Sequence, residues 1–297
     1  MTARPVEFVL LFVLATLWGA SFTFIKVGVE TIPPVTLIAG RTAIAALLLL
    51  AILRLRGITL PRDFAPWRRF LFQACLNSVI PFTLIAWAEQ TVDAGLATIL
   101  NSSSPIFTFL LSWCLLGRQA ATGPKLFGVV AGMIGICLIV GVGALSGFRQ
   151  QLVAELAIVA ATVAYAGAAI FGRTFGKIDP MLPAAGSLVC GAMLLIPLSL
   201  VVDRPCTLVP SERSMLALLC LALFSTALAL TIYFRLLRTL GPVGTTSQAY
   251  LRVPIGVGIG VAFLGESLSP TSWIGLVCVI AGVAAMTLPE RVRAKAP

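Results

Sequence analysis

Residues 7–27, EFVLLFVLATLWGASFTFIKV, and residues 35–53, VTLIAGRTAIAALLLLAIL, form two long apolar runs that are separated by Pro33 and Pro34. A helix needs about 20 predominantly apolar residues to cross the hydrocarbon core of a bilayer, and both runs have this length. Prolines between the runs lie where a missing backbone N–H costs least. The two runs therefore predict a pair of membrane-spanning helices at the beginning of the chain.

The rest of the chain has the same character, with 59% hydrophobic and only 11% charged side chains. Charged residues make up about 25% of an average soluble domain, so the composition disfavours a soluble enzyme and a disordered chain. We predict an all-α protein of a cell inner (plasma) membrane, with ten transmembrane helices and no separate soluble domain. The predicted spans are residues 7–27, 35–53, 71–88, 94–115, 124–143, 153–172, 182–202, 214–234, 244–264 and 271–289.

The charge distribution predicts orientation and partners. The formal net charge is +10, but the basic residues lie in short runs between apolar spans, which is typical of cytoplasmic loops rather than of a nucleic-acid-binding face. Most of them lie on the side that both termini share, so we expect cytoplasmic termini and a lipid bilayer, not nucleic acid, as partner. Histidine is absent, and the cysteines lack ligand-like spacing, so we expect no metal or other cofactor. The sequence leaves the oligomeric state open, and a monomer is compatible with it.

The two halves of the chain resemble one another. Each half holds five predicted spans, an odd number, so the second half enters the membrane from the opposite side. We predict two inverted five-helix repeats, residues 1–147 and 148–297, around a central site near the membrane midplane. The pairs matched at an offset of 147 are Trp18 with Tyr165, Phe24 with Phe171, Lys26 with Arg173, Pro33 with Pro180, Gly128 with Gly275 and Gly135 with Gly282, and Gly95 and Pro105 match Gly244 and Pro254 at 149.

Three segments carry a resemblance to a known family: TLWGASFTFIKVGVETIPPVTLIAGRTAIAALLLL, SPIFTFLLSWCLLG and VPIGVGIGVAFLGESLSPTSWIGLVCVIAGV. They resemble the EamA family of the drug/metabolite transporter superfamily, whose ten-helix members export amino acids and other metabolites. The resemblance covers nearly the whole chain. It implies an inner-membrane carrier whose central cavity opens alternately to each side.

The sequence departs from the family pattern at two positions. Arg118 follows Leu116 and Gly117 where the first repeat of the family often has Leu-Gly-Glu. Arg252 stands shortly before Pro254, where the family often has Glu. A changed sign of charge near the cavity should change the preferred ligand.

Arg252 is the most informative candidate. If its span begins near Gly244, a rise of 1.5 Å per residue places Arg252 about 12 Å into a hydrocarbon core about 30 Å thick. A charge at that depth costs at least about 2.5–3.5 kcal/mol, so we expect it to face a wet cavity. It could bind a substrate carboxylate through two parallel hydrogen bonds. The alternative is a structural arginine that snorkels or satisfies carbonyls freed by Pro254.

A run of small polar residues precedes Pro105 within the fourth predicted span. Proline removes a backbone hydrogen bond, so Pro105 and Pro254 are predicted helix breaks that expose carbonyl groups to a ligand. The alternative is that the serines only allow close helix packing. The predicted binding residues of this run are Asn101, Ser102 and Ser103.

Further candidates surround these two segments. Gln248 lies one helical turn from Arg252 and shares its helix face, and Trp18 and Tyr165 could form aromatic walls or merely pack. The remaining predicted binding residues are Tyr250 and Asn77. Four charged residues near the outer surface are candidate gate residues: Glu89, Glu266, Lys26 and Arg41.

The leading functional hypothesis is export of small organic metabolites that carry a carboxylate, most of all amino acids, aromatic ones included. The sequence has no acidic residue deep in a predicted span, which disfavours the alternative of a multidrug or organic-cation exporter that trades cations for protons. A channel is a weaker alternative. So is an intramembrane enzyme, because a nucleophile–base pair cannot be assembled here without histidine.

Overall fold

The computed structural model describes residues 5–116, 123–145, 149–176, 178–240, 245 and 248–287, and among these residues there is helix but no strand. Short 3₁₀ turns at Arg173–Phe175 and Pro205–Thr207 flank the ninth helix. The α-helices are α1 (Pro5–Gly28), α2 (Pro34–Leu55), α3 (Phe64–Ala74), α4 (Ile80–Ala88), α5 (Ala94–Asn101), α6 (Ser104–Leu116), α7 (Gly123–Leu145), α8 (Arg149–Gly172), α9 (Met181–Val202), α10 (Glu212–Ala222), α11 (Ala229–Thr239), α12 (Gln248–Leu264) and α13 (Pro270–Thr287).

Within the described ranges, seven helical stretches are long and apolar enough to cross a membrane, and each coincides with a predicted span. They are Val6–Gly28, Pro34–Leu55, Phe64–Ala88, Ala94–Cys114, Gln151–Phe175, Met181–Val202 and Glu212–Thr239. Three shorter apolar helices, Leu126–Gly135, Leu251–Leu264 and Pro270–Gly282, overlap the other three predicted spans. The helical membrane class is confirmed, and the number of ten spans stays a prediction.

Two π-helical segments interrupt otherwise continuous helices. The segment Cys75–Val79 joins α3 to α4, and the segment Leu223–Leu228 joins α10 to α11. Their first residues are 148 positions apart, close to the repeat offset found in the sequence. Both segments bury polar side chains, which are Asn77 and Ser78 in the first and Ser225 and Thr226 in the second. A π turn inside a membrane helix frequently marks a functional site.

Helices α2 and α9 pack along one another in opposite directions. At one end, the Thr36 hydroxyl lies 2.8 Å from the Ser199 hydroxyl and donates to the Asp203 carboxylate at 2.8 Å. At the other end, the Arg56 guanidinium donates to the Met181 sulfur at 3.4 Å. The beginning of α2 therefore lies beside the end of α9, and the end of α2 beside the beginning of α9.

Helices α7 and α13 approach so closely that glycine is required at two contacts. A Cβ atom at Gly135 would lie 2.7 Å from the carbonyl oxygen of Gly275, and one at Gly282 would lie 2.6 Å from that of Gly128. Small residues commonly allow such backbone contact between membrane helices. An offset of 147 residues maps the first contact onto the second, so the two contacts are reciprocal.

The buried apolar side chains form two large clusters with a cavity between them. Phe82 of the first cluster and Tyr233 of the second both line this cavity. The first cluster includes Phe22, Ile25, Ile38, Ile85 and Ile99, and the second includes Leu14, Leu49, Leu188 and Leu230. Helix α1 passes through both clusters, so its middle lies at the cavity.

Candidate substrate-binding cavity

A central cavity of about 100 Å³ lies among helices α1, α2, α4, α6, α8, α11 and α12. One water molecule needs about 10–15 Å³ of such space, so the cavity has room for several water molecules or for a small organic ligand. The cavity brings together residues that the sequence had singled out in separate spans. Those residues are Trp18, Asn77, Asn101, Tyr165, Gln248, Arg252 and Pro105.

The fourth predicted span is interrupted at the cavity. Helix α5 ends at Asn101 and α6 begins at Ser104. Pro105 has no N–H and cannot donate to the Asn101 carbonyl, as the residue four positions along a regular helix would. The Ser104 hydroxyl donates to this carbonyl at 2.8 Å instead. The interruption thus places a backbone carbonyl and a polar side chain, that of Asn101, at the cavity wall.

Ser102 and Ser103 do not line the cavity, although the sequence predicted both as binding residues. Their hydroxyl groups donate to the carbonyls of Thr98 at 2.7 Å and Leu100 at 2.6 Å. Hydroxyl groups of this kind satisfy backbone carbonyls close to a helix end. The contacts therefore agree with the structural alternative for these two serines.

The predicted helix break at Pro254 is not seen. Helix α12 continues from Gln248 to Leu264 with Pro254 inside it, and Pro254 is not among the cavity-lining residues. Membrane helices tolerate an interior proline because neighbouring groups can satisfy the freed backbone atoms. The two matched prolines therefore have different effects on their helices.

Arg252 is 6% exposed and lies at the interruption between α5 and α6. Its Nη2 atom donates to the carbonyl oxygen of Asn101 at 3.1 Å. A structural arginine would make this kind of contact, because it satisfies a backbone carbonyl. The carbonyl is one freed by Pro105, whereas the sequence suggested carbonyls freed by Pro254. Its Nε atom is buried and has no hydrogen-bond partner among the described residues. A buried donor without a partner costs about 1–3 kcal/mol, which a bound acceptor would offset.

Gln248 presents an acceptor one helical turn away from that donor. The residue is 6% exposed and lines the cavity. Its Oε1 atom is buried and has no partner in the described part of the chain. Residues four apart share one helix face. Helix α12 therefore presents a free acceptor and, at Arg252, a free donor to the same space.

Asn77 and Asn101 add amide groups from other helices. Asn77 belongs to the first π-helical segment and is 8% exposed, with its side chain at the cavity. The Asn101 side-chain oxygen accepts a hydrogen bond from the Thr162 hydroxyl at 3.3 Å. Amides supply both donors and acceptors, so the cavity wall can bind either kind of polar group.

Two pairs of aromatic rings line the cavity. The Trp18 and Tyr233 rings pack with their centroids 5.3 Å apart, and the Phe82 and Tyr165 rings with theirs 6.3 Å apart. Phe82 and Tyr233 are cavity-lining residues that were not among the candidates predicted from the sequence. The sequence did contain a signal for Tyr233. Tyrosine is rare in this chain, with only three residues, and the other two were already candidate binding residues.

Arg41 lines the cavity, whereas the sequence placed it near the outer surface as a gate residue. It is 2% exposed, and its Nε atom donates to the Thr226 hydroxyl at 2.6 Å. Its guanidinium carbon lies 3.6 Å from the centroid of the Phe82 ring. Helix α2 begins at Pro34, so Arg41 is already about 10 Å along it.

The cavity is cationic because of these two arginines. Arg41 and Arg252 are its charged residues within the part of the chain that the structure describes, and no Asp or Glu is among the described lining residues. A guanidinium group matches the geometry of a carboxylate and forms paired hydrogen bonds with it. The cavity therefore favours an anionic group on its ligand.

The other three candidate gate residues lie outside the cavity lining, near the C-terminal end of α1. Glu266 accepts hydrogen bonds from the backbone N–H groups of Ala94 at 2.7 Å and Gly95 at 2.8 Å. This carboxylate therefore caps the N-terminus of α5, where negative charge is favoured. The Lys26 ammonium donates to the carbonyl of Val92 at 2.8 Å. Glu89 is fully buried.

Two sequence features lie outside the described residues. The backbone of Tyr250 belongs to α12, but its side chain is outside the description. Arg118, which stands where the family often has Glu, lies in the undescribed range 117–122. Their predicted roles stay predictions.

The sequence matches the model of the EamA-like transporter family twice, over residues 6–141 and over residues 152–288. The chain belongs to the EamA-like transporter family. The two matches fall on the two predicted repeats. This EamA-like transporter is therefore a multi-pass protein of the inner membrane, as its apolar helices and its named relatives indicate.

Several relatives resemble this EamA-like transporter over most of their length. It is 30% identical over 282 residues to the "Uncharacterized inner membrane transporter YedA" of Escherichia coli (strain K12). The aligned region covers 94% of this chain and 89% of YedA. It is 25% identical over 269 residues to the "Uncharacterized transporter YoaV" of Bacillus subtilis (strain 168), covering 90% and 91%. A similar solved structure, titled "Crystal structure of protein", has a TM-score of 0.68 at 17% identity, covers 98% of this chain and 100% of its own, and supports the fold alone.

Proposed function

We propose that this transporter exports small metabolites that carry a carboxylate, amino acids foremost, by alternating access through the central cavity. The observation that carries the proposal is the pair of free polar atoms on α12. The Nε atom of Arg252 and the Oε1 atom of Gln248 are both buried without partners among the described residues. An α-amino acid offers a carboxylate for the first atom and an ammonium group for the second.

The carboxylate end of the ligand is supported by the charge of the cavity. Arg252 uses Nη2 for the Asn101 carbonyl, which leaves its Nε atom for a ligand. Arg41 adds a second positive charge to the same cavity. Hydrogen bonds between a charged donor and a carboxylate are roughly twice as strong as neutral ones, so an anionic group is the preferred ligand.

The cavity also has groups that can bind the ammonium group and the side chain of an amino acid. Gln248 offers its carbonyl oxygen, and aromatic ring faces attract cations. The rings of Trp18 and Tyr233 provide an apolar wall. Aromatic rings favour offset or edge-to-face contact with another ring, so aromatic amino acids are the first candidates within this class.

Alternating access is supported by features that inverted repeats would produce. Helices α2 and α9, the second of each predicted repeat, run in opposite directions. The contacts of Gly135 with Gly275 and of Gly282 with Gly128 are reciprocal. Transporters with inverted repeats bind substrate where the repeats meet, at helices that are interrupted there. The interruption between α5 and α6 at the cavity fits this arrangement.

The orientation of the chain is part of the proposal. We place both termini on the cytoplasmic side because most Lys and Arg residues fall in the loops on that side. A reporter that is active only in the cytoplasm, fused after Pro297, should be active. A reporter active only in the periplasm should be silent at the same position, and the reverse result would overturn this orientation.

The rival function is export of organic cations or drugs. Such a ligand needs a negative group in the cavity, and the described lining residues include none. The purified protein should be tested by thermal unfolding with L-phenylalanine, L-leucine and tetraphenylphosphonium in separate samples. We expect the amino acids to raise the unfolding temperature. Stabilisation by tetraphenylphosphonium but by neither amino acid would favour the rival.

Transport itself should be measured with L-phenylalanine in inverted membrane vesicles. We expect uptake by vesicles that contain the protein and background uptake by vesicles that lack it. Arg213→Ala is a suitable control variant, because Arg213 is exposed and lies outside the cavity. It should transport as well as the unchanged protein.

A further inference from the structure

Glu89 is a buried carboxyl group that the proposed function has not used. It follows the last residue of α4 and is 0% exposed. Both of its side-chain oxygen atoms are buried and have no hydrogen-bond partner among the described residues. A buried ionised carboxylate without hydrogen bonds is strongly unfavourable, so this environment favours the protonated form.

The charged and titratable groups around Glu89 come from four parts of the fold. Lys26 lies on α1, Arg41 on α2, Tyr165 on α8 and Glu266 after α12, and each interacts electrostatically with Glu89. Three of the four groups donate or accept hydrogen bonds elsewhere. Lys26 donates to the Val92 carbonyl, Arg41 donates to the Thr226 hydroxyl, and Glu266 caps α5.

Together these effects favour the protonated form of Glu89. Burial raises the pKa of the Glu89 carboxyl well above its usual range, and the positive charge of Lys26 offsets only part of that change. The negative charge of Glu266 raises the pKa further, whereas Arg41 lowers it. Water admitted between the surrounding helices would accept the proton and solvate the ionised carboxylate.

Arg41 connects this carboxyl group to the cavity. Its guanidinium lines the cavity and is also a cationic neighbour of Glu89. An ionised Glu89 would attract the Arg41 charge and compete with a ligand carboxylate for it. A protonated Glu89 would leave that charge to the ligand.

We propose that Glu89 is a proton-binding site of this transporter and that protonation of Glu89 strengthens binding of the substrate carboxylate. The link is Arg41, because its positive charge can interact either with an ionised Glu89 or with the substrate carboxylate. The coupling rests on the carboxylate substrate proposed above, whereas the proton site itself does not. No covalent step is involved. The proton moves between the Glu89 carboxyl group and water, and the substrate binds without chemical change.

The proton site is tested by infrared spectroscopy of the purified protein. We expect the C=O band of protonated carboxyl groups at neutral pH in the unchanged protein and the loss of the Glu89 component of that band in Glu89→Gln. Glu155 is a second buried glutamate with an unpartnered carboxyl oxygen among the described residues, and any component from it should be the same in both proteins. The matched control Glu30→Gln changes an exposed glutamate and should keep the band. An identical band in Glu89→Gln would show that Glu89 is ionised and would overturn the proton site.

A second variant protects this test against a folding defect. Removing the nearby positive charge in Arg41→Gln should shift the titration of the band to higher pH, because the charge favours the ionised form. A midpoint that stays unchanged in a variant with unaltered size-exclusion behaviour would contradict the link between Arg41 and Glu89.

The coupling is tested by L-phenylalanine binding at several pH values. We expect the affinity of the unchanged protein to fall as pH rises, by at most about tenfold per pH unit for one linked proton. The affinity of Glu89→Gln should vary little with pH. A pH-independent affinity in the unchanged protein would overturn the coupling. Absence of L-phenylalanine binding in every variant would contradict the proposed substrate, and the infrared band would still decide the proton site.

Discussion

The Nη2 atom of Arg252 donates to the backbone carbonyl oxygen of Asn101 at 3.1 Å, across the two halves of the chain. These residues belong to the segments that precede the matched prolines Pro105 and Pro254. The contact therefore joins matched segments of the two predicted repeats at the cavity. It also leaves the Nε atom of Arg252 without a partner in the described residues, so the same side chain can stabilise the helix interruption and bind a ligand.

Replacing Arg252 should separate these two contributions. In Arg252→Ala we expect uptake of L-phenylalanine into inverted vesicles to fall about 10- to 100-fold, because hydrogen bonds to charged groups contribute about 1.5–3 kcal/mol. Arg252→Lys keeps the charge without the planar fork and should show an intermediate loss. Size-exclusion chromatography should show that both variants are folded. Unchanged uptake by the folded Arg252→Ala protein would assign Arg252 a structural contribution alone.

Gln248 should distinguish amino acids from other carboxylates. The variant Gln248→Leu removes the buried Oε1 acceptor of a hydrogen bond from a charged ammonium group, so its affinity for L-phenylalanine should fall about 10- to 100-fold. The affinity for 3-phenylpropanoate, which lacks the ammonium group, should change little. Calorimetric titration with both ligands checks this expectation, and an equal loss for both would mean that Gln248 does not contact the ammonium group.

The reciprocal glycine contacts should be equally sensitive to a methyl group. In Gly135→Ala and Gly282→Ala the added Cβ would meet a backbone carbonyl at 2.7 and 2.6 Å, so α7 and α13 must move apart at a cost of about 1–3 kcal/mol. Thermal unfolding in detergent should show similar destabilisation in both variants. A Cβ added at Gly258 has nothing within 4 Å, and Gly258→Ala should be neutral. A clear difference between the first two variants would argue against the predicted inverted-repeat relationship between the two halves.

The pH dependence of stability should report on Glu89. Its pKa is raised in the folded protein, so the folded state binds more protons than the unfolded state above the usual glutamate pKa of about 4.3. The stabilisation is complete below that value and is lost as the pH rises towards the folded pKa. Unfolding temperatures measured across this window should fall less in Glu89→Gln than in the unchanged protein. Parallel curves for the two proteins would show that Glu89 has the same pKa in both states.

The sequence by itself determined the helical membrane class and the candidate segments. Apolar length is a property of consecutive residues, so the span at 35–53 could be recognised without its neighbours, and α2 covers it. The segment before Pro105 was identifiable because a proline inside a polar run has a local effect on the backbone. The position of Arg252 within an apolar span likewise indicated a cavity, since an isolated charge is costly in lipid.

Only the tertiary structure decided which side chains meet. Arg41, a gate residue by the sequence prediction, lines the cavity, and Glu89 is buried without a hydrogen-bond partner among the described residues. The two serines after Asn101 bind backbone carbonyls instead of lining the cavity. The physical reason is that exposure and hydrogen bonding depend on the helix faces that pack together. Residues far apart in sequence set those faces, and hydropathy along the chain does not encode their contacts.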